Sequence, residues 1–445
     1  MGKYFGTDGI RGEVNKTLTA KLAYKVGEYL GYYCTSNNLT PKIIIGRDTR
    51  LSSAMLENAI AAGASSTGVS SYIISDCPTP CVSYNVTLSD FTFGVMISAS
   101  HNPYYDNGIK IFNHQGTKLS ADIENEIEDY IDGKKEITLC NNENIGKIVP
   151  YTYALDLYID NLVKMFDLDL TGLNLLIDCA NGSATYTALR TFERLNANCT
   201  MLFDKPDGLN INRNCGSTHI EKLVEHLSNG NYDLGLSFDG DADRLIAVAP
   251  NGRIIDGDHI LYILGTYMLE HKQLNKNMVV TTVMANVGLI KALKEHNVEY
   301  IKTPVGDKYV FEQLNNHNYS LGGEQSGHII LPEYAVSGDG LLTALKLIEV
   351  IKKTNKDVLT LVNDLTIYPQ LLVNVKVNDK NLALTDKELN DLVDSIALEL
   401  KEDGQILVRP SGTESLVRVM VEAKTDDICK EYVNKVVEFI KEKKY

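Results

Sequence analysis

Apolar runs that lead through a polar turn into an amphipathic segment recur three times along the chain. Residues 43–45, 175–177 and 279–280 are nearly continuous apolar runs, as expected for strands buried on both faces of a mixed or parallel sheet. After each run, apolar residues recur at spacings of three and four, which predicts a helix, and a second short strand follows. The pattern predicts three α/β domains of related plan, produced either by internal triplication or by the rhythm common to α/β proteins.

The C-terminal part of the chain has a different pattern. Alternating apolar and polar residues predict strands at 371–379, 405–410 and 415–423, and a helical pattern covers 426–444. These elements predict a small α+β domain at the end of the chain.

The domain boundaries are expected near Pro150, Gly257 and Pro369. The predicted fold class is therefore α/β with four domains, of which three are related mixed α/β domains and the last is the smaller α+β domain. The expected domains are residues 1–150, 151–256, 257–368 and 369–445.

Composition and charge narrow the class of protein. The 445-residue chain is too long for one compact core. Its net charge of −15 argues against a nucleic-acid partner. No run reaches the roughly 18 apolar residues that a membrane helix needs, and the start of the chain lacks a signal-peptide core. The eight cysteines show no metal-site spacing, so we expect reduced thiols in a cytoplasmic protein that binds neither nucleic acid nor membranes.

The first loop that could carry chemistry is SASHNP at residues 98–103, directly after a predicted strand. Ser100 lies at the strand end, where we expect an exposed hydroxyl, and Pro103 fixes the turn. Neighbouring side chains on a strand point to opposite faces, so His101 is not expected to act as the base of a Ser-His triad. The loop is either a site of nucleophilic chemistry or a turn capped by its own polar side chains.

The second loop, DGDADR, places Asp239, Asp241 and Asp243 at alternate positions. Carboxylates this close repel one another unless a cation neutralises them. Oxygen-only ligands favour a hard ion such as Mg²⁺. A calcium EF-hand is excluded because Arg244 and Pro250 stand where that motif needs Gly and Glu. A solvated acidic turn is the alternative.

The third and fourth loops offer ligand-binding groups. GGEQSGH supplies Glu324 and Ser326, groups of the kind that recognise hydroxyl-rich ligands. RPSGTE combines Arg409, which can bind phosphate bidentately, with the donors of Ser411 and Thr413. Each could also be an ordinary turn. Together, the four loops describe a cleft in which a phosphoryl group is moved on a polyol.

The chain resembles the α-D-phosphohexomutase superfamily, and within it the bacterial glucosamine branch. The motif FGTDGIRG at the start of the chain and GEQSGH in the third loop favour that branch over the glucose and mannose enzymes. The resemblance extends from residue 5 to about residue 420. It is carried in order by FGTDGIRG, ISASHNPYYDNGIKIF, DGDADR, GGEQSGH and RPSGTE.

The resemblance implies a fold and an activity. The four domains would surround a central cleft, and the enzyme would interconvert glucosamine 6-phosphate and glucosamine 1-phosphate through a phosphoserine and a bound 1,6-bisphosphate. The product would supply amino-sugar nucleotide and peptidoglycan precursors. A small phosphosugar would be the substrate, and a homodimer is left open.

The resemblance also implies roles for individual residues. Ser100 would be phosphorylated, and its phosphate would share Mg²⁺ with the three aspartates. Lys110 would be the general acid or base, because neighbouring cations could lower its pKa. The residues implied to line the transfer site are Arg11, His101, Lys110 and Arg244. Those implied to contact sugar hydroxyls are Glu324 and Ser326. Those implied to hold the non-reacting phosphate are Arg409, Ser411, Gly412 and Thr413.

Three departures from the superfamily pattern bear on this resemblance. Ser415 replaces a usual Pro, which loosens the fourth loop without removing a donor. Ser98 and the pair Asp307-Lys308 favour the glucosamine branch, because many glucose and mannose enzymes carry Thr and Gly-His-Ser there. A glucose or mannose mutase, a metal-dependent phosphosugar phosphatase and a non-catalytic phosphosugar binder are the alternatives. The nucleophile, the carboxylates and Lys110 argue against a binder.

Overall fold

The computed structural model describes residues 2–410, 416–443 and 445. The described residues form two compact units. The first holds the chain up to Val283 together with Glu299–Leu361, and the second holds Met284–Val298 and Val362–Tyr445. None of the described helices is both long enough and apolar enough to cross a membrane.

A mixed seven-stranded sheet begins the first unit. Its strands are Phe5–Gly6 (β1), Gly9–Glu13 (β2), Lys42–Arg47 (β3), Ser70–Asp76 (β4), Phe93–Ile97 (β5), Asp106–Asn113 (β6) and Ile148–Pro150 (β7). The accompanying helices are Ala20–Ser36 (α1), Ser53–Ser66 (α2), Thr79–Leu88 (α3) and Ala121–Ile131 (α4). The strands lie in the order β1-β2-β6-β5-β3-β4-β7. In β3, Ile43, Ile44 and Ile45 are fully buried, as the continuous apolar run predicts.

The second sheet has five strands. They are Asn174–Asp178 (β8), Asn198–Leu202 (β9), Leu234–Phe238 (β10), Leu245–Val248 (β11) and Ile254–Ile255 (β12). The helices of this region are Ala154–Phe166 (α5), Ala188–Arg194 (α6) and Glu221–Ser228 (α7). The strands lie in the order β12-β11-β10-β8-β9. Since β10 and β11 pair antiparallel, with Phe238 opposite Leu245, the acidic motif forms the tight connection between them.

The third sheet has four strands in the order β14-β13-β15-β16, located at Met278–Thr282 (β13), Glu299–Thr303 (β14), Leu321–Gly323 (β15) and Ile329–Ile330 (β16). The helices of this stretch of chain are Gly257–Glu270 (α8), Val287–Glu295 (α9), Asp307–His317 (α10), Gly340–Thr354 (α11) and Val358–Leu361 (α12). The GGEQSGH motif begins with the last two residues of β15, and its remaining residues form the turn to the antiparallel strand β16.

The second unit contains α9 and a three-stranded antiparallel sheet. Its strands are Gln370–Lys376 (β17), Gln405–Pro410 (β18) and Leu416–Glu422 (β19), with β19 in the centre. Its other helices are Lys380–Thr385 (α13), Lys387–Leu400 (α14) and Asp426–Lys443 (α15). The predicted strands and the last helix are present, whereas α13 and α14 were not predicted.

All three predicted strand-helix-strand repeats are present, as β3-α2-β4, β8-α6-β9 and β13-α9-β14. In each repeat the two strands are parallel neighbours. The predicted fold class is therefore confirmed. The common origin of the repeats and the boundaries at residues 150, 256 and 368 remain predictions.

Candidate active site

Ser100 lies just beyond β5 in a strained backbone conformation. Its φ of +54° is in the left-handed region, which residues other than glycine seldom adopt. The Ser98 hydroxyl accepts a hydrogen bond from the Ser100 N–H at 2.9 Å. The expectation of an exposed Ser100 hydroxyl is wrong, because the residue is only 1% exposed and its side chain faces the acidic loop of the second sheet.

His101 lies closer to Ser100 than the sequence pattern predicts. Its Nδ1 is 3.4 Å from the Ser100 Oγ. The alternation of side chains along a strand does not apply here, because Ser100 has left the extended conformation. Burial, together with the positive charges of Arg244 and Arg11, lowers the pKa of His101 to about 4.

The three aspartates of the acidic loop are buried together. Asp239 and Asp241 are fully buried and Asp243 is 6% exposed. One carboxylate oxygen from each lies within 4.8 Å of those of the other two. The Ser100 hydroxyl donates to Asp239 Oδ2 at 2.5 Å, so the serine and the carboxylates share one pocket.

The charges of this cluster, and an oxygen in it that has no hydrogen-bond partner among the described residues, fit a cation. Burial, together with the like charges of Asp243 and Asp241, raises the pKa of Asp239 to about 8. Asp241 Oδ1 is buried and has no hydrogen-bond partner among the described residues. A divalent ion would offset the repulsion and use this oxygen, so the residues present are suited to hold a hard metal ion.

Lys110, on β6, faces the same carboxylates. Its Nζ donates to Asp241 Oδ2 at 2.7 Å and to Asp243 Oδ2 at 3.1 Å, and it lies 3.3 Å from Asp8 Oδ2. The expectation that nearby cations lower the pKa of Lys110 is wrong. Burial alone would lower the pKa, but the charges of Asp241, Asp243 and Asp8 outweigh burial and hold the pKa well above its usual value.

Arg11 and Arg244 lie at the edges of the cluster. Arg244 Nε is 3.9 Å from Asp239 Oδ2 and 3.7 Å from Asp243 Oδ1. Arg11 forms an ion pair with Asp8, and its buried Nε has no hydrogen-bond partner among the described residues. Both arginines therefore place positive charge beside the buried carboxylates.

Several side chains of the site were not predicted from the sequence. Thr79 donates to Asp241 Oδ2 at 2.5 Å, and Lys118 joins Asp8 at 2.8 Å and Asp307 at 2.7 Å. His328 Nδ1 is 3.6 Å from Asp243 Oδ1. Asp8 and His328 lie within motifs quoted above and could have been found there, whereas Thr79 and Lys118 carry no such signal.

A cavity of about 400 Å³ adjoins this cluster. Lys110, Asp243 and His328 contribute to its wall, together with Asp8 and Asp307. Its volume is in the range of small-molecule sites.

The turn between β15 and β16 carries the two predicted sugar-binding residues. Glu324 Oε1 accepts a hydrogen bond from the Gly306 N–H at 3.1 Å. The Ser326 hydroxyl oxygen is buried and has no hydrogen-bond partner among the described residues.

Of the predicted phosphate-binding residues, the structure describes Arg409. It lies near the end of β18, directly opposite Arg418 on the neighbouring strand β19, so the two arginines form a cross-strand pair. The predicted residues Ser411, Gly412 and Thr413, and the departure at Ser415, lie outside the described residues.

Nearly the whole chain matches one group of domain families, described as phosphoglucomutase/phosphomannomutase. Residues 2–138 match alpha/beta/alpha domain I, 156–252 domain II, 256–368 domain III and 372–439 the C-terminal domain. The four domain families follow one another in order along the chain. Their matched ranges include all five motifs.

Known proteins resemble the chain over its full length. A phosphoglucosamine mutase from Lachnoclostridium phytofermentans is 48% identical over 444 residues, covering 100% of this chain and 99% of the relative. A phosphoglucomutase/phosphomannomutase family protein from Burkholderia thailandensis has a TM-score of 0.79 at 24% identity, covering 98% of this chain and 97% of the other. An N-acetylphosphoglucosamine mutase from Aspergillus fumigatus, solved with GlcNAc-6P and magnesium, has a TM-score of 0.70 at 17% identity, covering 100% and 96%.

The two solved structures show a shared fold, and the identity over the whole length of the bacterial relative shows the family. Ser100, the buried aspartates and the ordered motifs agree with that assignment. The chain belongs to the phosphoglucosamine mutase family.

Proposed function

We propose that this protein interconverts glucosamine 6-phosphate and glucosamine 1-phosphate and that Ser100 carries the transferred phosphoryl group. The observation that carries the proposal is the buried Ser100 hydroxyl, 2.5 Å from Asp239 in a cluster of three carboxylates. A serine beside a metal-binding cluster is suited to phosphoryl transfer, because that reaction depends on positioning and on neutralising charge. The name of the bacterial relative supports glucosamine phosphate as the substrate.

Asp239, Asp241 and Asp243, with a phosphate oxygen on Ser100, would hold a Mg²⁺ ion. Such an ion, when bound, neutralises negative charge on the phosphoryl group. The unpaired Asp241 Oδ1 and the raised pKa of Asp239 support this assignment, as does the magnesium in the Aspergillus fumigatus mutase structure.

The reaction is balanced as two transfers. In the first, the bond between Ser100 Oγ and phosphorus breaks and a bond from the substrate O1 to phosphorus forms, giving the 1,6-bisphosphate. In the second, the bond from O6 to phosphorus breaks and Ser100 Oγ regains a phosphoryl group. The proton lost from O1 is balanced by the proton that O6 gains, so neither hydrolysis nor net consumption of phosphate is needed.

The surrounding side chains are proposed to stabilise charge and exclude water. Because Lys110 Nζ lies within 3.3 Å of three carboxylates, we assign it as a fixed cation and hydrogen-bond donor. Arg11 and Arg244 would bind the transferring phosphoryl group, and His101 would contact Ser100. The burial of Ser100 would limit hydrolysis of its phosphoester.

The remaining site residues are proposed to bind the substrate. Glu324 and Ser326 would contact the sugar hydroxyls, and the unpaired Ser326 oxygen supports this role. The non-reacting phosphate would be bound by Arg409, Ser411, Gly412 and Thr413, on the strength of the motif and the family. We place the reaction in the cytoplasm, because all eight cysteines are free thiols.

Replacement of Gly257 by Ala should disturb the sugar-binding turn. Gly257 begins α8, and a Cβ there would collide with the carbonyl oxygen of Glu324. Neither backbone can move freely, so we expect the free energy of unfolding to fall by about 1–3 kcal/mol. The KM for glucosamine 6-phosphate should rise as Glu324 shifts. Chemical denaturation and steady-state kinetics measure the two effects.

The matched control is Gly230→Ala at an exposed position, because the three atoms nearest to its Cβ would all belong to the Tyr232 side chain and none to the backbone. An unchanged KM in Gly257→Ala, together with full stability, would show that this close approach does not position the turn.

The substrate assignment is tested by comparing kcat/KM for the 6-phosphates of glucosamine, glucose and mannose, with free phosphate followed in parallel. We expect the highest kcat/KM with glucosamine 6-phosphate and no release of phosphate beyond background. A preference for glucose or mannose phosphate would identify a hexose mutase. Phosphate release without isomerisation would identify a phosphatase.

A further inference from the structure

The backbone carbonyls of the Ser100 loop are held by two side chains that lie outside the recognised motifs. Arg50 follows β3, and Asn212 lies in the segment between β9 and α7. Both are buried, with 2% and 7% exposure. Each donates hydrogen bonds to the same two carbonyl oxygens, those of Ser100 and Asn102.

The Arg50 side chain is held by an ion pair in addition to its hydrogen bonds to the loop. Its guanidinium pairs with the fully buried Asp48 at 3.0 Å. Its Nη2 donates to the carbonyl oxygens of Ser100 at 3.1 Å and Asn102 at 2.6 Å, and its Nε donates to that of Asp106 at 2.9 Å. A planar guanidinium with several donors can fix three carbonyls at once.

Asn212 reaches the loop from the second sheet's side of the site. Its N–H donates to the carbonyl of Ala180 at 2.9 Å, and its Nδ2 donates to the carbonyls of Ser100 at 2.9 Å and Asn102 at 3.1 Å. Gly240 of the acidic loop packs at the same point. A Cβ on Gly240 would lie 2.5 Å from the Ser100 carbonyl oxygen and 2.9 Å from Asn212 Nδ2. The amide therefore lies where the serine loop and the acidic loop touch.

This arrangement explains how a strained serine can be held in place. The left-handed conformation is unfavourable for a residue other than glycine, and it persists only when its surroundings fix it. The φ of +54° turns the Ser100 hydroxyl toward Asp239 and its carbonyl toward Arg50 and Asn212. In the described contacts, neither Arg50 nor Asn212 touches the Ser100 hydroxyl or the three carboxylates.

We propose that Asn212 and Arg50 are positioning residues, which set the Ser100 hydroxyl against the Asp239 carboxylate by holding the backbone carbonyls of the serine loop. Their effect on catalysis rests on the proposed mutase function, whereas their effect on the loop does not. Asn212 is the better target for a test, because Arg50 belongs to a fully buried ion pair and its removal could unfold the protein.

Asn212→Gly removes the amide and suits the backbone, because Asn212 has a φ of +57°. Asn214→Gly is a matched control, since Asn214 lies in the same segment at φ +56° but is exposed. We expect kcat of Asn212→Gly to fall about 10- to 100-fold, with the KM for glucosamine 6-phosphate within about twofold of the parent value, because misplacement affects the transfer more than binding. Amide hydrogen exchange of residues 98–103 should become faster. Asn214→Gly should change neither property.

Hydrogen exchange separates failure of this inference from failure of the proposed function. If the parent protein lacks mutase activity but Asn212→Gly still loosens residues 98–103, the substrate assignment falls and the positioning role stands. Equal exchange in this segment for the parent, Asn212→Gly and Asn214→Gly would overturn the positioning role, whatever the activity. A loss of kcat that Asn214→Gly shares equally would also overturn it.

Discussion

Ser100→Ala abolishes the interconversion of glucosamine 6-phosphate and glucosamine 1-phosphate, with an expected fall in kcat of about a thousandfold or more. The hydroxyl is the only part of the residue that is lost, and it is the group that would carry the phosphoryl group. The fold should be retained, because alanine fills less space in the buried site and the loop carbonyls keep their donors. Coupled-enzyme kinetics and thermal unfolding measure the two outcomes.

The control for this prediction is the phosphorylation state of the protein. Intact-mass measurement should detect a phosphoryl group on the parent protein after incubation with glucose 1,6-bisphosphate and none on Ser100→Ala. A variant that folds normally and retains turnover near the parent value would rule out Ser100 as the carrier. Phosphorylation of Ser100→Ala at another residue would point to a different nucleophile.

Asp241→Asn should nearly eliminate activity by weakening metal binding, although the side chain keeps its shape. Asp241 Oδ2 accepts hydrogen bonds from Lys110 and Thr79, so the oxygen of an Asn side chain must occupy that position. The NH₂ group would then replace Oδ1, the unpaired oxygen, and present a donor where a cation needs a ligand. We expect the Kd for Mg²⁺ to rise by about 100-fold and kcat to fall by a similar or larger factor.

Asp129→Asn is the matched control, because Asp129 is an exposed carboxylate whose partner is Lys134 on the surface. Isothermal titration with Mg²⁺ should give the parent affinity for Asp129→Asn. Removal of divalent ions with a chelator should reduce the parent activity to that of Asp241→Asn, and added Mg²⁺ should restore only the parent. Equal Mg²⁺ affinity in Asp241→Asn and the parent would exclude the aspartate cluster as the metal site.

Local patterns were sufficient to predict most of the fold. The apolar run at residues 43–45 predicted the buried centre of β3, and the same pattern predicted β8 and β13. The alternating segments near the C-terminus predicted β17, β18 and β19. Helices α13 and α14 were not predicted. Each begins after an Asp whose side chain caps the helix. This short-range signal is weaker than the alternating strand pattern of the segments before and after these helices.

The chemistry of the metal loop was predictable because its three carboxylates stand at alternate positions of one short segment of the sequence. The details of the serine loop were not. Whether the Ser100 hydroxyl is exposed depends on the acidic loop, whose Asp239 contacts it from 139 positions further along the chain. The left-handed backbone of Ser100, which brings His101 within 3.4 Å, follows from the same tertiary contacts.

The Lys110 prediction failed for a related reason. Arg11, His101 and Arg244 were expected to surround it with positive charge, which would lower its pKa. In the folded chain, however, Asp8 reaches Lys110 from the turn between β1 and β2 and joins Asp241 and Asp243. Three carboxylates around one ammonium group raise its pKa, so Lys110 is better suited to balance charge than to abstract a proton.

The central claim is that the phosphoryl group on Ser100 is passed to the sugar. The most direct measurement is a single-turnover experiment in which protein carrying a radiolabelled phosphoryl group on Ser100 is mixed with unlabelled glucosamine 6-phosphate. We predict that the label moves first into glucosamine 1,6-bisphosphate and then into the monophosphate pool. Label that leaves only as inorganic phosphate, or that stays on the protein while isomerisation proceeds, would contradict the account.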